Sequence, residues 1–254
     1  MNLLAFDTST EIMSIAVSRT AAGRVLQWQS TGAGGAQAST GLIAGILDLM
    51  RQAELELSAL DAICFGSGPG SFTGLRTACS VAQGLAFGAG VLVLPVASLL
   101  AVAEEARFSA LDHAAQGTVT ALLDARMDEM YCATFAFDAG QWTELQASHL
   151  QRPEDLNLAS ALQGRPGAHA LAGNVFTPYA GRMAAALAAA GGPVCIDALP
   201  GAAAMLRLAP QLLARGLAVP PEQALPIYIR DKVAKTTLER AAEKAASLHG
   251  STLP

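Results

Sequence analysis

A glycine-rich stretch from Asp61 to Gly88 is the feature that most constrains how this chain folds. It begins with a short apolar run, Ala62 to Phe65, which is typical of a buried strand that ends at a turn. Glycine permits backbone angles that a side chain forbids, and proline stops a strand or helix. The turn contains Gly66, Gly68, Pro69 and Gly70. Small and apolar residues then recur at helical spacing, so the stretch predicts a strand, a tight turn and a helix.

The same stretch is arranged like a phosphate-binding loop, but its spacing is different. Ser71 or Thr73 is placed to cap the helix. A P-loop has four residues between its glycines and then Lys, whereas Gly68 and Gly74 enclose five residues and Leu75 follows. The dinucleotide fingerprint requires a third glycine where this chain has Ser71 or Thr73. The spacing therefore favours a tight turn that lets the helix pack closely on a sheet.

Composition excludes several classes of protein. The chain has 254 residues, 52% hydrophobic and 15% charged, which indicates a folded protein with a sizeable core. Its net charge is −5 and no basic run exceeds two residues, so the sequence lacks the basic face expected of a protein that holds RNA alone. The four cysteines and four histidines share no metal or redox spacing, so we expect no metal and no cofactor.

The apolar segments are not typical of targeting signals or membrane spans. Asp7 interrupts the first apolar run, so we expect no signal peptide. Gln83, three glycines and Pro95 break the apolar stretch from Val81 to Ala103, which we expect to form a helix, a strand and a helix. The sequence thus predicts a cytoplasmic protein with no membrane association.

The order of predicted elements indicates a mixed sheet with helices on both faces. The first half is predicted as three antiparallel strands, then helix, strand, helix, strand, helix: 3–6, 12–18, 24–29, 39–53, 62–65, the glycine-stretch helix, 91–94 and 96–106. A polar link is expected over 31–38. This order is typical of the ribonuclease-H-like, actin-type half domain.

The second half is expected to repeat this pattern after a polar patch over 107–116. Its predicted strands are 118–123, 129–137, 142–148, 168–172 and 194–196, and its predicted helices are 153–161, 175–190 and 201–216. Pro210 should kink or divide the last helix. An extended linker over 218–226 follows, and the tail over 232–249 is expected either to form a helix or to fray. We therefore predict an N-terminal actin-like subdomain over 1–106, a C-terminal one over 107–216, and a linker and tail over 217–254.

Four segments resemble one family. Gly68 to Arg76, with the sequence GPGSFTGLR, resembles the signature of the TsaB family of bacterial tRNA threonylcarbamoyladenosine biosynthesis proteins. Three further segments resemble its opening hairpin, its mid-chain hairpin and its closing segment: 4–17, 124–131 and 224–234. The resemblance implies a non-catalytic subunit that forms a heterodimer with the threonylcarbamoyl transferase TsaD. It also implies that the ATPase TsaE joins through the complex, that tRNA is met only indirectly, and that the isolated chain forms a homodimer.

The resemblance places the partner-binding surface on the helix after the glycine turn, which is expected to pair with the equivalent helix of TsaD. Its many small residues would let two helices approach closely. The alternative is that these residues only let the helix lie tightly on its own sheet. The expected partner-binding residues are Ser71, Phe72, Thr73, Leu75, Arg76, Cys79, Ser80, Ala82, Gln83 and Ala86.

Asp7, Thr8 and Ser9 lie in the first hairpin, which holds phosphates and metal in actin-type ATPases. Working enzymes have glycine where this chain has Thr8, so the resemblance implies a degenerate nucleotide site. The alternative is an ordinary turn closed by polar side chains. The helix after Gln37 also lacks the His-x-x-x-His metal pair of TsaD.

Two enzymatic alternatives remain open from the sequence. An actin-type kinase or ATPase would use Asp7 and the glycine loop, whereas a peptidase would need a base beside Ser71 or a cysteine. Four charged residues also meet at the mid-chain hairpin, where paired carboxylates could serve acid–base chemistry. These residues are Asp124, Arg126, Asp128 and Glu129, and a solvated turn is the simpler interpretation.

Overall fold

The computed structural model describes residues 1–111, 114–158, 167–189 and 193–230. The elements of the first half are β1 (Leu3–Asp7), β2 (Ile12–Ala21), β3 (Arg24–Ala33), α1 (Ala38–Gln52), β4 (Ala62–Gly68), α2 (Phe72–Ala89), β5 (Leu92–Ala97) and α3 (Ser98–Ala110). The strands form one sheet in the order β3-β2-β1-β4-β5. The apolar stretch over 81–103 is divided into helix, strand and helix, as predicted.

Strand β1 lies at the centre of this sheet and is buried on both faces. It pairs antiparallel with β2 and parallel with β4. Successive side chains of a strand point to opposite faces. Leu4 and Phe6 therefore pack with α1 and α2, whereas Leu3 and Ala5 pack with α3. The predicted mixed sheet with helices on both faces is confirmed.

The second half has the same topology as the first. Its elements are β6 (Gln116–Arg126), β7 (Glu129–Asp138), β8 (Gln141–Gln151), β9 (Ala168–Gly173), α4 (Ala180–Ala189), β10 (Val194–Asp197) and α5 (Ala202–Ala214). The sheet order is β10-β9-β6-β7-β8. In each sheet, two antiparallel strands lie on one side of the first strand and two parallel strands lie on the other. The predicted pair of ribonuclease-H-like halves is confirmed.

Helices α3 and α5 lie between the two sheets. One core cluster contains Leu3 of β1, Leu99 of α3, Val119 of β6 and Met205 of α5. The two halves therefore share a common core. Helix α3 continues through Ala110, past its predicted end at residue 106, and Arg107 in this extension pairs with Glu104 one turn back. The division into domains after residues 106 and 216 stays a prediction.

Several predicted boundaries are wrong. The helix expected over 153–161 is a single 3-10 turn, Pro153–Asp155, and residues 159–161 lie outside the described ranges. The helix expected from residue 175 begins at Ala180, after a turn. Strand β3 extends through Ala33 into the predicted link, because it pairs with β2 along its whole length.

Proline does not divide the last described helix. Helix α5 runs through Pro210 without interruption. Pro210 lacks the N–H that would bond one turn back, but Leu206, Leu208 and Leu212 are buried around it and hold the helix in place. The tail over 232–249, expected to form a helix or to fray, lies outside the described residues.

The chain after α5 returns across both halves. Val219 forms a two-way backbone bridge with Val93 of β5, and a 3-10 turn, Pro221–Gln223, interrupts the predicted linker. Residues 224–230, which we call the C-terminal strap, then pass along α2. The Ile227 amide of the strap donates to the carbonyl of Ser67, at the end of β4, at 2.7 Å. The strap ends at the β6–β7 hairpin. Among the described helices, none is long and apolar enough to cross a membrane.

Candidate functional site

The loop between β1 and β2 is buried and bonded to its own chain. Asp7, Thr8 and Ser9 are almost completely inaccessible. The Ser9 amide and hydroxyl both donate to Asp7 Oδ1, at 2.8 and 2.7 Å. The Thr8 hydroxyl donates to the Gly74 carbonyl at 2.7 Å, and the Ser71 amide donates to the Ser9 carbonyl at 2.7 Å. The Thr8 hydroxyl and the Ser9 carbonyl are therefore bonded to the start of α2, and Asp7 Oδ1 is bonded to Ser9.

Glycine is required in this loop because the two segments almost touch. A Cβ on Gly66 would lie 1.8 Å from Asp7 Oδ2, and a Cβ on Gly74 would lie 1.8 Å from the Thr8 carbonyl oxygen. A Cβ on Gly70 would lie 2.6 Å from the Ser9 carbonyl oxygen. Only Gly68, with φ +113°, also needs the backbone freedom that the sequence suggested for all three loop glycines. The predicted tight packing is confirmed, and Ser71 is the N-cap residue.

This packing bears on the degenerate nucleotide site expected at the first hairpin, which stays a prediction. Asp7, Thr8 and Ser9 were expected to be the remains of a phosphate-binding hairpin. Asp7 and Thr8 could contact a phosphate only if the glycine loop and the first turn of α2 moved away, whereas Ser9 lines the cleft described below. Burial raises the pKa of Asp7 to about 6, although the bonds from Ser9 oppose the shift. Asp7 Oδ2 is buried without a hydrogen-bond partner among the described residues. The structure thus favours the interpretation as a closed turn.

Helix α2 presents three faces, and the first faces its own sheet. Leu75, Cys79, Ala82 and Ala86 are at most 5% exposed, and the last three belong to the core of the first half. These four residues were expected to bind a partner. They cannot contact one in the folded chain, because their side chains are buried. Periodicity predicted one apolar face correctly, but that face belongs to the core.

The C-terminal strap covers the second face. The Gln83 side-chain amide and the Cys79 thiol both donate to the Ala224 carbonyl, at 2.9 and 3.3 Å. Arg76 Nε donates to the Tyr228 hydroxyl at 3.0 Å. The rings of Phe72 and Tyr228 are 5.2 Å apart. Four of the expected partner-binding residues therefore pack against the strap.

The third face is open, and we call it the open stripe. Its members lie along one side of α2: Thr73, Thr77, Ser80, Gly84 and Phe87. Phe87 is 81% exposed, and Cβ atoms on Gly84 or Gly88 would meet nothing within 4 Å. Helix α1 packs beside α2 and exposes Ile43 and Leu47. Sequence reasoning missed these three large apolar residues, although their position outside the buried stripe was a usable signal.

A cleft of about 650 Å³ lies between the two halves and the strap. Residues of the first hairpin, the N-terminus of α2 and the β6–β7 hairpin line it together with the end of the strap. Two of the charged residues of the second hairpin pair with each other, Arg126 with Asp124 at 3.7 Å. Arg230 pairs with Glu129 at 2.6 Å, Arg182 pairs with Asp128 at 3.0 Å, and Tyr179 donates to Asp124 at 2.8 Å. This arrangement fits a turn stabilised by neighbouring cations and not a pair of catalytic carboxylates.

The candidate nucleophiles Ser71, Cys64 and Cys132 are not activated. The Ser71 hydroxyl accepts a bond from the Gly74 amide at 3.4 Å, which is its capping role. Burial raises the pKa of the Cys64 and Cys132 thiols to about 12, so they stay protonated. Among the described residues, no three His, Cys, Asp or Glu side chains are grouped to bind a metal ion.

Two sheets of one topology, a common core and a cleft beside both first hairpins define an actin-like, ribonuclease-H-like protein of two halves. Residues 37–238 match the sequence model of the family described as "TsaD: tRNA N6-adenosine threonylcarbamoyltransferase". The chain belongs to this family, and the curated relatives that it matches are TsaB proteins, as its glycine-rich signature predicted.

The relatives differ in how much of the chain they cover. The Escherichia coli K12 "tRNA threonylcarbamoyladenosine biosynthesis protein TsaB" is 30% identical over 92% of this chain and 96% of its own length. The protein of the same name from Haemophilus influenzae is 36% identical, and the match covers 61% of this chain and 65% of that protein.

Two solved structures support the same relationship. YeaZ from Pseudomonas aeruginosa is 37% identical, with a TM-score of 0.74 over 89% of this chain and 99% of that one. A second structure, described as an uncharacterized protein with similarity to peptidase YeaZ from Pseudomonas aeruginosa, is 36% identical. Its TM-score is 0.76, and the match covers 90% of this chain and 99% of that one.

Proposed function

We propose that this chain is the TsaB subunit of the machinery that makes threonylcarbamoyladenosine in tRNA, and that it acts by binding TsaD. The observation that carries this proposal is the open stripe, where Phe87 is 81% exposed beside two glycines. Ile43 and Leu47 of α1, 49% and 52% exposed, extend the apolar surface. Exposed apolar patches of this kind on a folded chain mark sites of protein association.

The shape of the stripe suits a facing helix. Gly84 and Gly88 have no side chain, so the axis of a second helix can approach α2 more closely than over larger residues. Phe87 then provides an aromatic anchor of the type that dominates binding energy at interfaces. The partner-binding surface is therefore Thr73, Ser80 and their neighbours on the open stripe, and not the buried residues that the sequence suggested.

Several features support an accessory role without catalysis. The first hairpin is covered by the glycine loop, the buried thiols are protonated, and Ser71 caps a helix. The net charge of −5 does not favour independent tRNA binding, so tRNA is reached through TsaD. TsaE joins the complex through TsaD and this chain. Without TsaD, two copies pair through the same stripe, because a two-fold interface uses one surface twice.

The test is the affinity of the full chain for TsaD, measured by calorimetry for wild type and for Phe87→Asp. We expect Phe87→Asp to weaken binding by about 30-fold or more, the effect of losing an interface anchor. Val25→Asp is the matched control, because Val25 is 69% exposed on β3, away from α2. Equal affinity of wild type and Phe87→Asp would contradict the proposed surface. Ala82→Trp is unsuitable here, because Ala82 is fully buried and the change would disrupt the chain's own core.

A further inference from the structure

A cluster of Phe72, Arg76 and Tyr228 lies beside the open stripe. The Arg76 guanidinium carbon lies 3.9 Å from the centre of the Phe72 ring and 6.0 Å from that of the Tyr228 ring. Arg76 Nε donates to the Tyr228 hydroxyl at 3.0 Å. The cation–π contact and the hydrogen bond together fix the plane of the guanidinium group, which would otherwise rotate freely at the surface.

The oriented guanidinium keeps its outer donors free. Nε is used by Tyr228, and within the described ranges neither terminal nitrogen of Arg76 has a hydrogen-bond partner. No carboxylate of the described residues lies within 4.0 Å of it. The other arginine held over an aromatic ring at a similar distance, Arg207 over Phe108, is paired with Glu104 and Glu105. Arg76 is therefore held in the geometry of a carboxylate-binding group that lacks its carboxylate.

We infer that the Phe72–Arg76–Tyr228 cluster is a preorganised receptor for an acidic side chain of TsaD. This inference rests on the proposed function and adds a specificity determinant to its interface. A planar guanidinium binds a carboxylate through two parallel hydrogen bonds. Because the strap has already ordered Arg76, little side-chain entropy is lost on binding. Tyr228 is a positioning residue, since it acts through the orientation of Arg76.

This arrangement gives the C-terminal strap a role in supporting Arg76. The strap brings Tyr228 to α2 from a position 152 residues later in the chain. At its other end, Arg230 anchors it to Glu129 at 2.6 Å. The strap thus places an aromatic ring and a hydroxyl where α2 alone would leave Arg76 without support.

The experiment measures the affinity of the full chain for TsaD by calorimetry, at low salt and at about 0.5 M salt, where charge attraction is screened. We expect Arg76→Gln to weaken binding at low salt by about 30-fold and Arg76→Lys by about 5-fold, because lysine keeps the charge without the planar fork. Arg76→Glu should bind more weakly than Arg76→Gln by about 10-fold at low salt, and this difference should shrink at high salt.

Two further variants separate orientation from packing. Tyr228→Phe keeps the ring and removes the hydroxyl that bonds to Arg76 Nε, so we expect a loss of about 3-fold with the salt dependence of wild type. Arg215→Gln is the control for charge alone, because Arg215 is exposed at the end of α5. It should bind within about 2-fold of wild type. Thermal unfolding of each variant verifies that the chain remains folded.

The outcomes distinguish this inference from the function on which it rests. If wild type does not bind TsaD, the proposed function fails. If wild type binds TsaD, and both Arg76→Gln and Arg76→Glu bind it as tightly as wild type does, the inferred receptor is wrong although the proposed function stands. Equal, salt-independent losses for Gln and Glu would show a packing role and overturn charge recognition. A loss of affinity for tRNA in the Arg76 variants, without a loss of affinity for TsaD, would also overturn charge recognition of TsaD.

Discussion

The two halves share one topology, but the first hairpin is buried in one half and exposed in the other. The β1–β2 loop is buried under the glycine loop, and Asp7 has no access to solvent. The β6–β7 hairpin projects outward, and Asp128 and Met127 at its tip are exposed. Arg230 and Arg182 hold it through its carbonyls and carboxylates. The first hairpin is thus fixed by close backbone packing and the second by charged side chains.

The comparison of the two hairpins shows that a few residues determine whether the first hairpin of this fold is closed or open. Gly70 and Gly74 let the start of α2 enter the space above the first hairpin. The same half carries the long α1 and α2, whereas the described residues of the second half include a 3-10 turn, Pro153–Asp155, and a helix of ten residues, Ala180–Ala189. The half with the closed hairpin also carries the open stripe, which we propose as the partner surface.

The largest expected effect is on the glycine packing. Gly74→Ala places a Cβ 1.8 Å from the Thr8 carbonyl oxygen, so we expect a loss of about 3 kcal/mol in the free energy of unfolding. Gly84→Ala in the same helix has open space around it and should gain about 0.5–1 kcal/mol. Denaturant unfolding of both variants compares them directly. Equal stability of the two would show that the first hairpin is not closed by packing.

The next largest expected effect is the loss of folding stability caused by the buried carboxyl of Asp7. The pKa of Asp7 is raised to about 6 by burial, above its unfolded value of about 3.9. The unfolded carboxyl therefore loses its proton first, and stability falls as pH rises from about 4 to 6. This loss is then present at all higher pH, and the two pKa values correspond to about 3 kcal/mol.

Asp7→Asn should remove most of this cost. We expect a gain of about 1–2 kcal/mol at pH 8, since the new amide nitrogen also lacks a partner, and no gain at pH 4. Asp128→Asn in the exposed hairpin serves as the control and should show no such pH-dependent gain. Unfolding free energies at the two pH values provide the measurement. A gain of the same size at both would contradict a buried charged Asp7.

The smallest effects are expected in the second hairpin. Arg230→Met removes the pair with Glu129 and bonds to the Ala125 and Arg126 carbonyls, and should cost about 1–2 kcal/mol. Arg182→Met should cost less, because its partners Asp128 and Glu154 are 80% and 45% exposed and already solvated. Hydrogen exchange of the hairpin amides reports both. If Arg182→Met were the more disruptive variant, the strap would not be the main support of this hairpin.

Sequence patterns predicted the elements of the fold because most of their signals are local. The apolar run at Ala62 and the cap at Ser71 each depend on a few neighbouring residues, and both are confirmed. The repeated order of strands and helices was also sufficient for the fold class. Boundaries failed where packing overrides propensity, as at Pro210 in α5.

The site was harder to predict because its contacts are long-range. Periodicity placed Ala82 and Ala86 on one face of α2, but it could not tell whether that face meets the chain's own sheet or another protein. The contact between Arg76 and Tyr228 joins residues 152 positions apart and has no local signal. The closure of the hairpin over Asp7 likewise depends on Gly74, which comes 67 positions later in the printed sequence.

The most direct test of the central claim is tRNA modification reconstituted from purified TsaD, TsaE, the threonylcarbamoyl adenylate and tRNA. Threonylcarbamoyladenosine is measured with wild-type chain, with Phe87→Asp, with Asp7→Asn or with no chain. The account predicts full activity with wild type and with Asp7→Asn, and little or none with Phe87→Asp or without the chain. Full activity with Phe87→Asp together with loss in Asp7→Asn would contradict it, because the hairpin and not the open stripe would then be the functional site.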